Sequence, residues 1–209
     1  MPQDKLHLTA LEMTHSKTHD EIQSLVDKMR PSIPSICDYT STHPTRLIKP
    51  TIGFDASALA LSYVPSTNTS VQDPNYTYHH LRRDLYTLCR STGVAVDSRY
   101  VVPSSHLTIG RFIKSKDFED ENGNYKPAKM EVFIEKLEEI NAWLKEEFWA
   151  TEGLGGDERI KDGGEWIVGE EKGLNCRMGT LWYGDGENIH LGKGIRQCRL
   201  RGMRASRRD

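Results

Sequence analysis

Hydrophobic and polar positions change period several times along the chain, and each change predicts an element. Residues 5–13 open with Leu6-His7-Leu8-Thr9, whose alternation predicts a β-strand. The period then lengthens. Thr18-His19-Asp20-Glu21 fits a capping box, and Ile22, Leu25, Val26 and Met29 follow at i, i+3, i+4 and i+7, which predicts a helix that Pro31 ends. Polar turns through Pro44 lead to a predicted hairpin with arms at about 46–54 and 57–64, linked near Asp55. The Ser/Thr/Asn/Pro-rich stretch 65–77 reads as a loop. Residues 78–92 predict a second helix with Leu81, Leu85 and Leu88 on one face, stopped by Gly93 and linking two halves of the chain.

The second half repeats the theme. Short strands are expected at 94–96 and 99–102, a turn at Pro103 and a strand at 105–113. A polar loop at 114–126 precedes a long helix at 128–149, with Met130, Phe133, Ile134, Leu137, Ile140, Leu144 and Phe148 as its buried stripe. A flexible loop at 153–164 and closing strands at 165–169 and 179–183 complete the chain. The expected class is α+β: two pseudo-symmetric lobes with antiparallel sheets and flanking helices around a central cleft. Residues 1–192 would form this single bilobal domain, a length sufficient for a proper core.

One short motif occurs in both halves. His7-Leu8-Thr9 and His106-Leu107-Thr108 are each H-x-T within an apolar run. Strand side chains alternate faces, so His and Thr share one face while the leucine between them points to a core. Two such pairs facing each other across a groove would supply a general base, a general acid and two hydroxyl donors, which is a metal-free toolkit for cleaving a phosphoester. With 8 His and 15 Thr, chance alone gives roughly 0.6 such triplets. A third copy, His43-Pro44-Thr45, has proline inside it and reads as a turn. The bland alternative for the other two is a pair of half-buried strand histidines.

Further candidates rank lower. Trp182 and Tyr183 precede Gly184-Asp185-Gly186 and are the best-placed aromatics for stacking on a base, ahead of Tyr100, Tyr63 and Phe54. A hydroxyl of Ser104-Ser105 is expected to cap a turn or touch phosphate. Arg111 and Glu12 each follow a motif His by five residues, so strand parity turns them to the opposite face unless a bulge intervenes, and leaves Leu11 and Gly110 as the neighbours on the cleft side. His79-His80 invites a metal reading, but adjacent helical residues point apart. His15 and His190 are expected at the surface.

The paired motif is the hallmark of the 2H phosphoesterase superfamily. Together with LHLTALEMTHSKTHDEI, FDASALALSYVP, YHHLRRDLY, SRYVVPSSHLTIGRF and GTLWYGDG, it makes residues 5–190 resemble the fungal RNA ligase/cyclic nucleotide phosphodiesterase family. The resemblance implies hydrolysis of a 2′,3′-cyclic nucleotide, an RNA terminal cyclic phosphate or ADP-ribose cyclic phosphate to a monophosphate. His7 and His106 would be acid and base, Thr9 and Thr108 would hold phosphate oxygens, and no metal or cofactor would be needed. A non-catalytic nucleotide- or RNA-binding module of the same fold is the alternative, and a histidine-based metal hydrolase a further rival.

Charge bears on the partner. Residues 193–209 carry seven basic side chains and one acid, net +6, which leaves −8 on residues 1–192 of a chain whose total is −2. An acidic body argues against a broad RNA-gripping surface and for a small cyclic nucleotide, with the basic tail read as a disordered end. With 28% charged residues, a mean hydropathy of −0.62 and no apolar run approaching the roughly 20 residues of a membrane span, the expectation is a monomeric cytoplasmic protein without membrane contact or obligate protein partner. No secretory signal pattern is visible. Cys37, Cys89, Cys176 and Cys198 are far apart and without C-x-x-C spacing, so reduced thiols are expected.

Overall fold

The computed structural model describes residues 1–67, 73–99, 104–113, 116–152, 158–159, 161–180 and 186–198. It is α+β. The hairpin forms as its sequence suggests, from β1 (Thr45–Phe54) and β2 (Ala58–Ser66). Asp55 makes the turn: its Oδ1 accepts the Ser57 N–H at 2.7 Å, the Ser57 hydroxyl at 2.9 Å and the Ala58 N–H at 2.8 Å. Strands β3 (His106–Arg111) and β6 (Glu165–Val168) complete a four-stranded sheet of order β3-β2-β1-β6, in which β2 and β3 run antiparallel. β4 (Thr151–Glu152) pairs with β5 (Glu158–Arg159), and β7 (Lys172–Met178) pairs with β8 (Glu187–Lys193), both antiparallel.

The helices follow their caps. In α1 (His19–Met29) the Thr18 hydroxyl accepts the Glu21 N–H at 3.3 Å, and the Glu21 carboxylate takes the Thr18 N–H at 2.8 Å. In α3 (Tyr78–Ser91) His80 takes the reciprocal part, its Nδ1 accepting the Thr77 N–H at 3.1 Å, and Gly93 at φ +79° ends the helix. Pro127 opens α4 (Pro127–Phe148). The segment after Pro31 is not the expected run of turns: α2 spans Ile33–Asp38. Proline is tolerated in a first helical turn, and Ile33, Ile36 and Cys37 give the short helix an apolar stripe.

Two compact units divide the chain, and neither is a sequence half. Unit 1 gathers Met1–Thr9, Ile48–Val64 and Ser104–Trp166; unit 2 gathers Ala10–Leu47, Pro65–Pro103 and Ile167–Asp209. In unit 1, α4 docks on β1 through Asn141, which donates to the Ile52 carbonyl at 2.9 Å and accepts the Ile52 N–H at 2.7 Å; Trp149 Nε1–H reaches the Pro50 carbonyl at 3.0 Å. Its apolar stripe is narrower than its sequence suggests: Leu137 and Leu144 are buried, while Ile134 is exposed. Phe112, Phe118 and Phe133 pack edge to face at 5.6–6.0 Å between ring centres, with Phe54 against Phe133 at 5.2 Å.

In unit 2 the buried residues Val26, Met29, Ile33, Cys37, Cys89, Val94 and Met178 form one cluster, with Leu174, Cys176 and Ile189 of the β7–β8 ribbon packed on it. The expected strand at 94–96 is irregular, although Asp97 N–H donates to the Met13 carbonyl at 2.8 Å. Of the expected strand at 179–183, Gly179 and Thr180 are not in strand and 181–183 lie outside the described residues. The first part of the basic tail is tied down: Lys193 closes β8 and donates from its N–H to Asp38 at 2.7 Å, and Arg196 pairs with Glu170 at 2.8 Å. Among the described residues no helix is long and apolar enough to cross a membrane.

Two glycines let α2 sit on the ribbon. A Cβ on Gly192 would lie 2.1 Å from the Cys37 carbonyl oxygen, and one on Gly173 would lie 2.4 Å from the same atom. Both obstacles are backbone, which cannot swing away as a side chain can. Gly192→Ala is therefore expected to force α2 off the ribbon and to cost about 1–3 kcal/mol of stability, read as a lowered urea midpoint; an unchanged midpoint would show that the contact is loose.

Candidate active site

The two H-x-T motifs meet within unit 1. Residues 5–13 are not the full strand that alternation suggests. A short 3-10 turn covers Gln3–Lys5, and the only β pairing there is an isolated antiparallel bridge between Leu8 and Leu107. That bridge is enough to fix the faces. Paired residues share a face and their neighbours take the other, so His7, Thr9, His106 and Thr108 all lie on the face opposite Leu8 and Leu107. Continuing the register sets His7 opposite Thr108 and Thr9 opposite His106. The two histidines are then diagonal neighbours, within reach of each other across the pair. The motifs are thus adjacent on one surface of one unit, rather than one in each of two facing lobes.

The other edge of β3 sets what else shares this face. Its register with β2 pairs Ser62 with His106, Leu61 with Leu107 and Ala60 with Thr108, then slips to pair Leu59 with Gly110 and Ala58 with Arg111. Ile109 is the extra residue of a β-bulge. Arg111 belongs with Thr108 and His106, on the face of Ala58, Ala60 and Ser62, because the bulge reverses the parity that excluded it. Gly110 belongs to the other face, with Leu59 and Leu61. The small side chains of Ala58, Ala60 and Ser62 keep the motif face shallow beside the histidines. Leu11 is also not a cleft-side neighbour, for it packs against the buried cluster of unit 2.

Backbone and hydroxyl contacts orient the imidazoles. His7 Nδ1 lies 2.8 Å from the Lys5 carbonyl oxygen. A carbonyl only accepts, so this contact requires a proton on Nδ1 and puts the neutral ring's lone pair on Nε2. His106 Nδ1 lies 3.0 Å from Ser104 Oγ, a partner able to donate or accept. Ser104 thus touches the imidazole, while Ser105, buried, donates its hydroxyl to the Tyr63 carbonyl at 2.5 Å and ties β3 to β2. His7, Thr9 and His106 are half-buried and Thr108 is 6% exposed. Beyond Arg111, the Asp55 carboxyl is held below its ordinary pKa by the Ser57 N–H and hydroxyl and the Ala58 N–H, with a smaller contribution from Arg111.

The remaining candidates scatter. Trp182, Tyr183 and Tyr100 lie outside the described residues. Tyr63 packs edge-on against Trp166 at 5.7 Å, and Phe54 belongs to the phenylalanine cluster. A cavity of about 470 Å³ is lined by Phe54, Asp55, Phe112, Phe118 and Phe133 and includes none of the four motif residues. His80 caps α3 and stacks on Tyr76 at 5.6 Å, and His43 of the third H-x-T triplet stacks flat on Tyr39 at 4.0 Å. Among the described residues no three His, Cys, Asp or Glu side chains converge as metal ligands would. No family model matches the chain, nor does any curated protein or solved structure.

Glu12 has a structural task. Its side chain is 9% exposed and accepts the Arg99 N–H at 2.8 Å and the Arg99 guanidinium at 2.6 Å. Burial pushes its pKa up, but the Arg99 contacts outweigh burial and hold it below the ordinary carboxylate value. A depressed carboxylate stabilises the fold above its unfolded pKa of about 4.3, and the gain is lost as pH falls through the folded pKa. Glu12→Gln is expected to cost about 1–2 kcal/mol at neutral pH, with the gap from wild type closing below about pH 4. Urea titrations at pH 7 and pH 3 read this; a gap that persists at pH 3 would remove the charge from the explanation.

Proposed function

We propose that this chain is a 2H-type cyclic phosphodiesterase that hydrolyses a 2′,3′-cyclic nucleotide, or the related ADP-ribose cyclic phosphate, to a monophosphate without a metal. The observation that carries the reading is the Leu8–Leu107 bridge, which sets both H-x-T pairs side by side on one face. Nε2 of one histidine takes a proton from water as the water oxygen bonds to phosphorus. The bond from phosphorus to one ribose oxygen breaks, and the second histidine gives that oxygen a proton. Thr9 and Thr108 hold the non-bridging oxygens as charge develops on them, and Arg111 adds positive charge to the same face. The shallow strip of Ala58, Ala60 and Ser62 suits a flat ribose beside the histidines.

The deciding assay is turnover of the four nucleoside 2′,3′-cyclic monophosphates with EDTA present. His7→Ala and His106→Ala are each expected to lower kcat by about 10²–10⁴, with the pH profile bell-shaped in wild type. A folded wild type that binds these nucleotides with no turnover would overturn the enzyme reading in favour of a binding module. Loss of activity with EDTA, restored by a divalent ion, would point to metal chemistry.

Ser104→Ala separates positioning from chemistry. It is expected to lower kcat by roughly tenfold, far less than His106→Ala, and to displace the pH limb set by His106 with little change in KM. A KM effect alone would make Ser104 a substrate contact.

A further inference from the structure

Three of the four cysteines converge in unit 2, where nothing in the proposed reaction uses them. Cys37, at the end of α2, and Cys89, in α3, are members of the buried cluster, and Cys176 of β7 packs against it. All are free thiols. The end of α2 is held in register on the ribbon by the two glycines under the Cys37 carbonyl. Cys37 Sγ lies 3.9 Å from the His190 carbonyl oxygen, and His190 is the cross-strand partner of Cys176. The backbone contacts that fix α2 therefore also fix the Cys37 sulfur beside Cys176.

The two sulfurs are inequivalent. Contact between the two sulfurs holds Cys176 below the ordinary thiol pKa, and that contact together with burial raises Cys37. Cys176 is half-buried, whereas Cys37 is 3% exposed. Cys89 is pushed up to about 11 by burial and the neighbouring Cys176. The partly exposed Cys176 thus stands beside a buried neighbour, and Cys89 lies in the buried cluster. This is the division between an attacking and a resolving cysteine.

We propose that Cys176 and Cys37 form a peroxide-oxidised pair, closing to a disulfide that staples α2 to β7. The Cys176 thiolate attacks one oxygen of hydrogen peroxide. The S–O bond forms, the O–O bond breaks, and the departing hydroxide takes a proton to leave as water. The Cys37 sulfur then attacks the Cys176 sulfenic acid. The S–S bond forms, the S–O bond breaks, and the hydroxyl leaves as a second water with the Cys37 proton. Two thiols are oxidised and one peroxide is reduced to two waters.

The test uses the full chain with Cys198→Ser, which removes the exposed thiol, treated with hydrogen peroxide, alkylated under native conditions and mapped by mass spectrometry. The expected product is one peptide pair joined through Cys37 and Cys176, with Cys89 alkylated only after unfolding. Dithiothreitol should reverse the link. The oxidised form should melt roughly 5–10 °C higher, since the bridge closes a long loop. In Cys37→Ala, a dimedone adduct should accumulate at Cys176, and in Cys176→Ala none should form at Cys37. The mapping keeps all three clustered cysteines and depends on no substitution in the core. A map with all three thiols still free, a link that includes Cys89, or a dimedone adduct first at Cys37 would overturn the assignment.

Discussion

Leu107 is held on both of its backbone edges, by Leu61 of β2 on one side and by the Leu8 bridge on the other. Everything on the opposite face depends on that. Side chains alternate along extended backbone, so committing three leucines to one face commits His7, Thr9, His106 and Thr108 to the other. A slip of one residue would send every member of the set to the wrong side. A single backbone bridge is a slender connection for two segments separated by about a hundred residues, yet it is geometrically complete. It sets the pairing, the face and the diagonal relation of the two imidazoles together.

The bulge at Ile109 extends the same logic. Alternation alone makes a strand offer only every second residue to a site. One extra residue reverses the count, so that Arg111 joins His106 and Thr108 on a single face. Unit 2 applies a different constraint to the same end. There, close backbone approach at Gly173 and Gly192 adds to side-chain packing, and a short helix with an apolar stripe is located by its carbonyl as well. In both units a named backbone position, more than a bulky core, decides where the chemically able side chains stand.

Much of this was legible in the sequence where the signal is local. The cap of α1, the Gly93 stop of α3, the hairpin with Asp55 at its turn and the motif strand β3 follow from spacing and turn chemistry, because each is settled within a few residues. What was not legible depends on partners far along the chain. Residues 5–13 alternate well enough for a strand, but only Leu8 finds a β partner, so the strand does not propagate. β7 and β8 carry glycine and charge at positions where a strand reading wants β-branched residues, and α2 packs on the ribbon they form. Prolines 31 and 34 masked α2, although Ile33, Ile36 and Cys37 were spaced to reveal it. Arg111 was excluded by parity, since a bulge leaves no mark in the strand that contains it.

The two histidines of the site are chemically alike in sequence and unlike in their supports. His7 leans on a backbone carbonyl, which can only accept, so its Nδ1 keeps a proton and the neutral ring's lone pair is on Nε2. His106 leans on a hydroxyl, which can accept from a protonated Nδ1 or donate to a bare one. A general acid and a general base must exchange protonation states over one turnover. A support that only accepts suits a ring whose Nδ1 proton is constant through the cycle. A support that can reverse its hydrogen bond tolerates either state without leaving a buried group unsatisfied. In the proposed reaction each ring keeps its Nδ1 proton while Nε2 gains or loses one, so the two identical triplets differ in the partner that holds Nδ1 rather than in the motifs themselves.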